Sequence, residues 1–218
     1  TTAIALLVAM PVGTIIAIWL SEFATPRTRE IVKPILEMLS AVPTVVFGYF
    51  AVLSVTPLLK LIFPDLPAFN MLSAGLIMGV MIVPYVSSLS EDAMRAVPMI
   101  LREGSYAMGA GKLTTAVSVV FPAALSGVGA AYTLAVARAV GETMIVAIAA
   151  GQEPKLTFNP LESAATITAF IVQVSQGDLP HDGIGYQSIF AAGLTLFIMT
   201  LAFNLVGNWL RRRYRQVY

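Results

Sequence analysis

The stretch PAALSGVGAAYTLAVARAVGETMIVAIAA, Pro122 to Ala150, contains two charged side chains, Arg138 and Glu142, in an otherwise small or apolar run. A helix that crosses the roughly 30 Å hydrocarbon core of a bilayer needs about 20 such residues. Working outward from it, four more runs qualify: Ala3 to Leu20, Pro34 to Val55, Met71 to Ser90 and Ser188 to Leu210. They are continuous, whereas the strands of a membrane barrel alternate apolar and polar residues over about ten positions. The composition agrees. Of 218 residues, 57% are hydrophobic and 11% charged, where a soluble domain carries about 25% charged residues. The mean hydropathy is +0.82. An all-α integral membrane protein with five spans follows.

Other classes are excluded by what is missing. A net charge of +1 offers no basic stripe for nucleic acid. With no cysteine, disulfides, zinc–thiolate sites and thiol nucleophiles are out; with His181 as the single histidine, so is an all-imidazole metal site. No serine–histidine pair is in reach, so neither a membrane-bound enzyme nor a resident metal or cofactor is expected.

Basic residues set the sidedness. Arg27, Arg29, Lys33, then Arg95, Arg102, Lys112, then Arg211, Arg212, Arg213 and Arg215 all fall on one side of a five-span topology, and the other side receives Lys60 and Lys155. This predicts an outside N-terminus and a cytoplasmic C-terminus. The odd span count and a first residue of Thr1 suggest that a further helix precedes this stretch. Residues 1–218 read as a single transmembrane domain, with a cytoplasmic loop over 91–121 and an outer loop over 151–187. The outer loop carries Glu153, Glu162, Asp178, His181 and Asp182, and its segment LESAATITAFIVQV is expected to form a short helix on or dipping into the membrane.

The cytoplasmic loop carries the most specific pattern. An ATP-binding loop would need G-x-x-x-x-G-K-[ST], but around Gly111–Lys112 the first position is Tyr106 and the last Leu113. Instead the loop reads Glu103, Gly104, Ser105, three residues, Gly109, nine residues, then Val119, Val120, Phe121 and Pro122. Small residues let a short helix seat closely in a partner's cleft, and a glycine then breaks the helix and turns the chain. This arrangement resembles the E-A-A-x-x-x-G-x9-I-x-L-P loop of ABC importer permeases, with Gly104 and Ser105 in place of the alanines and Val119 and Phe121 in place of Ile and Leu. MIVPYVSSLSEDAMRAVP, SAVPTVVFGYFAV and ARAVGETMIVAIAAG resemble stretches of the phosphate-specific ABC permeases, closest to their PstC-type subunit, and the likeness runs from the first span to the basic tail.

The resemblance implies the type I importer permease fold, with six spans in the family against five here. It also implies a second, related permease chain, two cytoplasmic ATPases that bind ATP and magnesium, and an extracytoplasmic phosphate-binding protein. Glu103, Gly104, Ser105, Gly109 and Pro122 would form the ATPase-coupling elbow. The rivals are a permease for molybdate, sulfate or an amino acid, and, from another class, a stand-alone channel or secondary transporter.

Arg138 and Glu142 are expected at i and i+4 of one helix, sharing a face. A charge at the centre of a span costs about 2.5–3.5 kcal/mol, so the pair should face a partner or a hydrated path, away from lipid. In one reading Arg138 offers planar donors to a passing phosphate while Glu142 holds it and tempers the affinity. In the other, the pair is a structural ion pair between helices. Pro11, Pro43 and Pro84 interrupt spans as hinges or as ordinary kinks. GLIMG, Gly75 to Gly79, permits close packing. Glu91 and Asp92 read as caps of the following helix, RRRYR as an anchor at the lipid surface, and His181 as a solvated side chain.

Overall fold

A computed structural model describes residues 1–177 and 183–213, and among these every regular element is a helix. Asp178, His181, Asp182 and Arg215 lie outside the described residues. The chain order is α1 (Thr2–Phe23), α2 (Pro26–Ser40), α3 (Thr44–Lys60), α4 (Met71–Arg95), α5 (Met99–Ala107), α6 (Lys112–Ala123), α7 (Leu125–Gly141), α8 (Met144–Ala149), α9 (Ile167–Gln176) and α10 (Ile184–Arg213). Among the described residues three helices, α1, α4 and α10, are long and apolar enough to cross a membrane alone, and the total is five if each of two bent pairs is one span.

α1 and α4 form the centre, and their contact rests on missing side chains. Ala5, Ala9 and Ala17 are fully buried along α1 at multiples of four residues, with Gly13 continuing the stripe. Gly75 of α4 lies against Ile4, Gly79 against Val8, and Gly13 against Val86. Both numberings rise together, so the helices run parallel. A Cβ at Gly79 would stand 2.8 Å from the Val8 Cβ and 2.9 Å from the Ala5 carbonyl oxygen. GLIMG is therefore a packing motif: small residues let two backbones approach where lipid supplies no hydrophobic drive. α7 packs on α4 and α10, and α8 packs on α3.

Three expected boundaries moved. The run Pro34 to Val55 is not one continuous helix. α2 and α3 meet at 85°, because the residue before a proline is pushed out of the helical region and Pro43 is the N-cap from which the new helix starts at Thr44. Pro11 and Pro84 do lie inside helices, so Pro43 alone of the three marks a break. The run Pro122 to Ala150 also divides: α6 and α7 are bent by 72°, and α7 stops at Gly141 before the separate α8. In the outer loop the short helix starts at Ile167, capped by the Thr166 side chain accepting from the Ala169 N–H.

Arg29, Lys33 and Arg95 surround Glu91 at one end of the bundle, with Arg102 on Glu22 beside them. At the other end Lys155 sits between Glu153 and Glu162 at 3.5 and 3.0 Å. Its hydrogen bond with Glu162 raises the Lys155 ammonium above its usual value and, in return, lowers the Glu162 carboxyl.

Gly79→Val should overpack the α1–α4 contact, costing about 1–3 kcal/mol and lowering the thermal unfolding midpoint in detergent. Gly129→Ala, where an added Cβ meets nothing within 4 Å, should leave that midpoint unchanged or raise it.

Candidate functional site

Two groups of residues carry the chemistry: a half-buried guanidinium on α7 and a clamped elbow at the basic end. Arg138 lies in the last turn of α7, where the partial negative charge of the helix terminus favours a cation. Its guanidinium carbon is 4.6 Å from the centre of the Tyr85 ring on α4, within cation–π range. Nε of Arg138 is buried and makes no hydrogen bond among the described residues. A desolvated donor left unpaired costs about 1–3 kcal/mol, so the site keeps a cation unsatisfied by its own chain.

Glu142 does not pair with Arg138. The expected i, i+4 face needs a continuous helix, and the chain leaves helical geometry at Glu142, with φ −66° and ψ 132°. The Glu142 carboxylate turns instead to the start of α8, where Oε1 accepts from the Met144 and Ile145 N–H groups at 3.1 and 3.3 Å. Its backbone carbonyl accepts from Thr168 of α9 at 2.8 Å. Glu142 lines a cavity of about 230 Å³ with Thr168 and Leu196. Tyr85 lines a different one, of about 170 Å³, with Glu37, Ser40 and Ser88. The structure separates the two charges that spacing had joined.

Glu91 and Asp92 are also placed differently from expectation. They belong to the last turns of α4 and cap no following helix. Glu91 is fully buried and forms ion pairs with Arg29 at 2.7 Å and Lys33 at 2.8 Å; Lys33 also pairs with Asp92. These contacts dock α2, which buries none of its own residues, against α4. Ser88 adds a hydrogen bond to Glu37 at 3.2 Å.

The elbow has the predicted form. Glu103, Gly104 and Ser105 lie on α5. The helix then closes with the Ala110 N–H donating to the Ser105 carbonyl and the Gly109 N–H to the Tyr106 carbonyl. That pair of bonds is a Schellman ending, which needs a left-handed residue, and Gly109 supplies it with φ +84°. Ser105 shares a hydrogen bond with Thr115 at 2.9 Å, tying α5 to α6. Pro122 is exposed and opens the last turn of α6.

Arg102, one residue before the motif, entered the sequence analysis only as one of the basic residues that set the sidedness. It donates to Glu22 of α1 at 2.9 Å and to the Met94 and Val97 carbonyls at 2.9 and 2.6 Å. Its residue is 7% exposed. The clamp fixes α5 to the ends of both central spans. Glu22 and Arg102 stand 80 positions apart, and no local pattern links them.

Known proteins bear on this geometry. The family described as binding-protein-dependent transport system inner membrane component matches residues 9–216. The chain is 31% identical to a probable ABC transporter permease, YqgH, of Bacillus subtilis over 97% of this chain and 68% of that protein. It is 32% identical to the phosphate transport system permease PstC 1 of Mycobacterium tuberculosis, over 98% and 69%. In fold it is similar to a chain of the inward-facing MetNI methionine ABC transporter, with a TM-score of 0.70 and 18% identity over 99% and 89%.

Arg102→Met leaves the buried Glu22 carboxylate without its cation. A loss of about 3–5 kcal/mol is expected, read as a fall in the unfolding midpoint. The exposed neighbour Glu103→Gln should leave that midpoint within error.

Proposed function

As the chain belongs to the family of binding-protein-dependent transport system inner membrane components, an inner-membrane, multi-pass group, we propose that it is one permease of an ATP-driven phosphate importer. The single observation that carries the anion reading is Arg138, a cation on a spanning helix with a buried Nε and no acceptor among the described residues. The identity with a phosphate transport permease supports phosphate over other anions.

In this reading the basic end is cytoplasmic and the N-terminus of the chain lies outside. An extracytoplasmic phosphate-binding protein delivers the anion to a cavity between this chain and a second, related permease, so this chain supplies half of the path. Arg138 meets the anion with planar donors suited to phosphate oxygens. Glu142, held by the α8 amides, adds negative charge just past the end of α7 and limits how tightly the anion rests.

The elbow transmits motion. α5 and its surroundings expose Met99, Ile100, Met108 and Leu113 at 62–89%, and a Cβ on Gly104 would meet nothing within 4 Å. The small residue at 104 is not required by packing inside this chain, which supports a seat in a partner's cleft. Two cytoplasmic ATPases bind ATP and magnesium and drive the cycle. The Arg102 clamp carries their movement to α1 and α4, and this chain performs no bond chemistry of its own.

In the reconstituted complex Arg138→Met should lower phosphate uptake roughly 10- to 100-fold, the loss of a charge-assisted hydrogen bond, while basal ATP hydrolysis persists. Uptake equal to wild type would remove Arg138 from the path. Uptake of sulfate or molybdate in preference to phosphate would move the substrate, and anion flux from this chain alone in liposomes would favour a stand-alone channel. Separately, Ile100→Asp should abolish co-purification of the ATPases in mild detergent and leave the permease folded.

A further inference from the structure

At the basic end, each buried or half-buried cation described above is matched to a carboxylate: Arg29 and Lys33 to Glu91, Arg102 to Glu22. Arg138 departs from that rule. Among the described residues it has neither an ion pair nor a hydrogen bond, and the face of Tyr85 is the group placed against it. Glu37, a carboxylate lining the same cavity as Tyr85, is taken by Ser88 instead. Glu142 is taken by the amides of α8.

The chemistry of the two kinds of partner differs in one respect. A carboxylate holds a guanidinium by occupying its N–H groups, often two at once. An aromatic face attracts the same cation through the ring quadrupole and uses none of the five donors. A guanidinium stacked on a ring is thus held in place with its hydrogen-bonding edge uncommitted.

We propose that Tyr85 is the positioning residue of the anion site: its ring face holds the Arg138 guanidinium in place of a carboxylate and so keeps the donors available to an oxyanion. This rests on reading Arg138 as the anion contact. Tyr85 is set for the task by α4, one residue after Pro84, and its partial exposure of 36% places the ring at the wall of the cavity shared with Glu37, Ser40 and Ser88.

The test uses the complete transporter in proteoliposomes, with inorganic phosphate as the probe, and phenylalanines of increasing fluorine content at position 85. Fluorination drains the ring's negative face while nearly preserving its shape. Tyr85→Phe should keep the KM for phosphate uptake within about twofold. The mono-, di- and trifluorinated rings should raise it stepwise, to roughly 3- to 30-fold, as expected for loss of a cation–π contact. Tyr85→Leu should reach the upper end of that range. A KM that stays flat along the fluorine series overturns the proposal, since a ring acting only as packing would give that result even if Tyr85→Leu failed to assemble. Arg138→Met, run in parallel, separates the two readings. If it abolishes uptake while the series is flat, Tyr85 is wrong and the anion contact stands; if it leaves uptake unchanged, the anion contact falls and this proposal with it.

Discussion

The close approach of α1 and α4 is the contact from which the rest of the structure is arranged. Alanines and glycines on both helices bring the backbones together in parallel, in a setting where apolar side chains gain little by leaving lipid for each other. Because the helices run the same way, their C-terminal ends lie side by side. Glu22 and the Met94 carbonyl thereby meet around Arg102. The elbow is held by the ends of the two central spans rather than hung from a loop.

The distribution of charge follows from the cost of leaving an ion without a partner in a medium of low polarity. At the basic end the buried carboxylates Glu22 and Glu91 are matched by arginine or lysine. Glu91 in particular holds α2, a helix with a polar side and no buried residue, against α4. On α7 and just after it the pattern changes: Glu142 is satisfied by backbone amides, and Arg138 lies against an aromatic face that leaves its Nε unpaired among the described residues. In the proposed reading, an importer of anions needs one place where a cation is not already neutralised by its own chain. A permease subunit can place it there because the neighbouring structure, and not an ion pair, bears the cost of its burial.

Much of the site was legible in residue types and local spacing. Gly109 had to be the helix breaker of the elbow, and it has the positive φ that a Schellman ending demands. GLIMG presented a face without side chains, and α1 fills it. What spacing misled about was the pair Arg138 and Glu142. The i, i+4 rule holds on an unbroken helix, and Gly141 ends this one just before the glutamate. Glu91 was misread for a related reason: a charged residue after an apolar run resembles a cap until distant cations make its burial tolerable.

Hydropathy and the bias of lysine and arginine determined by themselves that the chain is a bundle of membrane helices with one basic end, because the thickness of hydrocarbon and the cost of moving charge through it act on each segment separately. The elbow's form was likewise set locally, by a helix and the glycine that stops it. Only the tertiary structure decided that Arg102 reaches Glu22, that Arg29 and Lys33 bury Glu91, and that Tyr85 lies under Arg138. Those pairings join residues from about 50 to 80 positions apart. Which side chains meet across such distances depends on how closely the backbones approach, and that closeness exists only once the helices have packed.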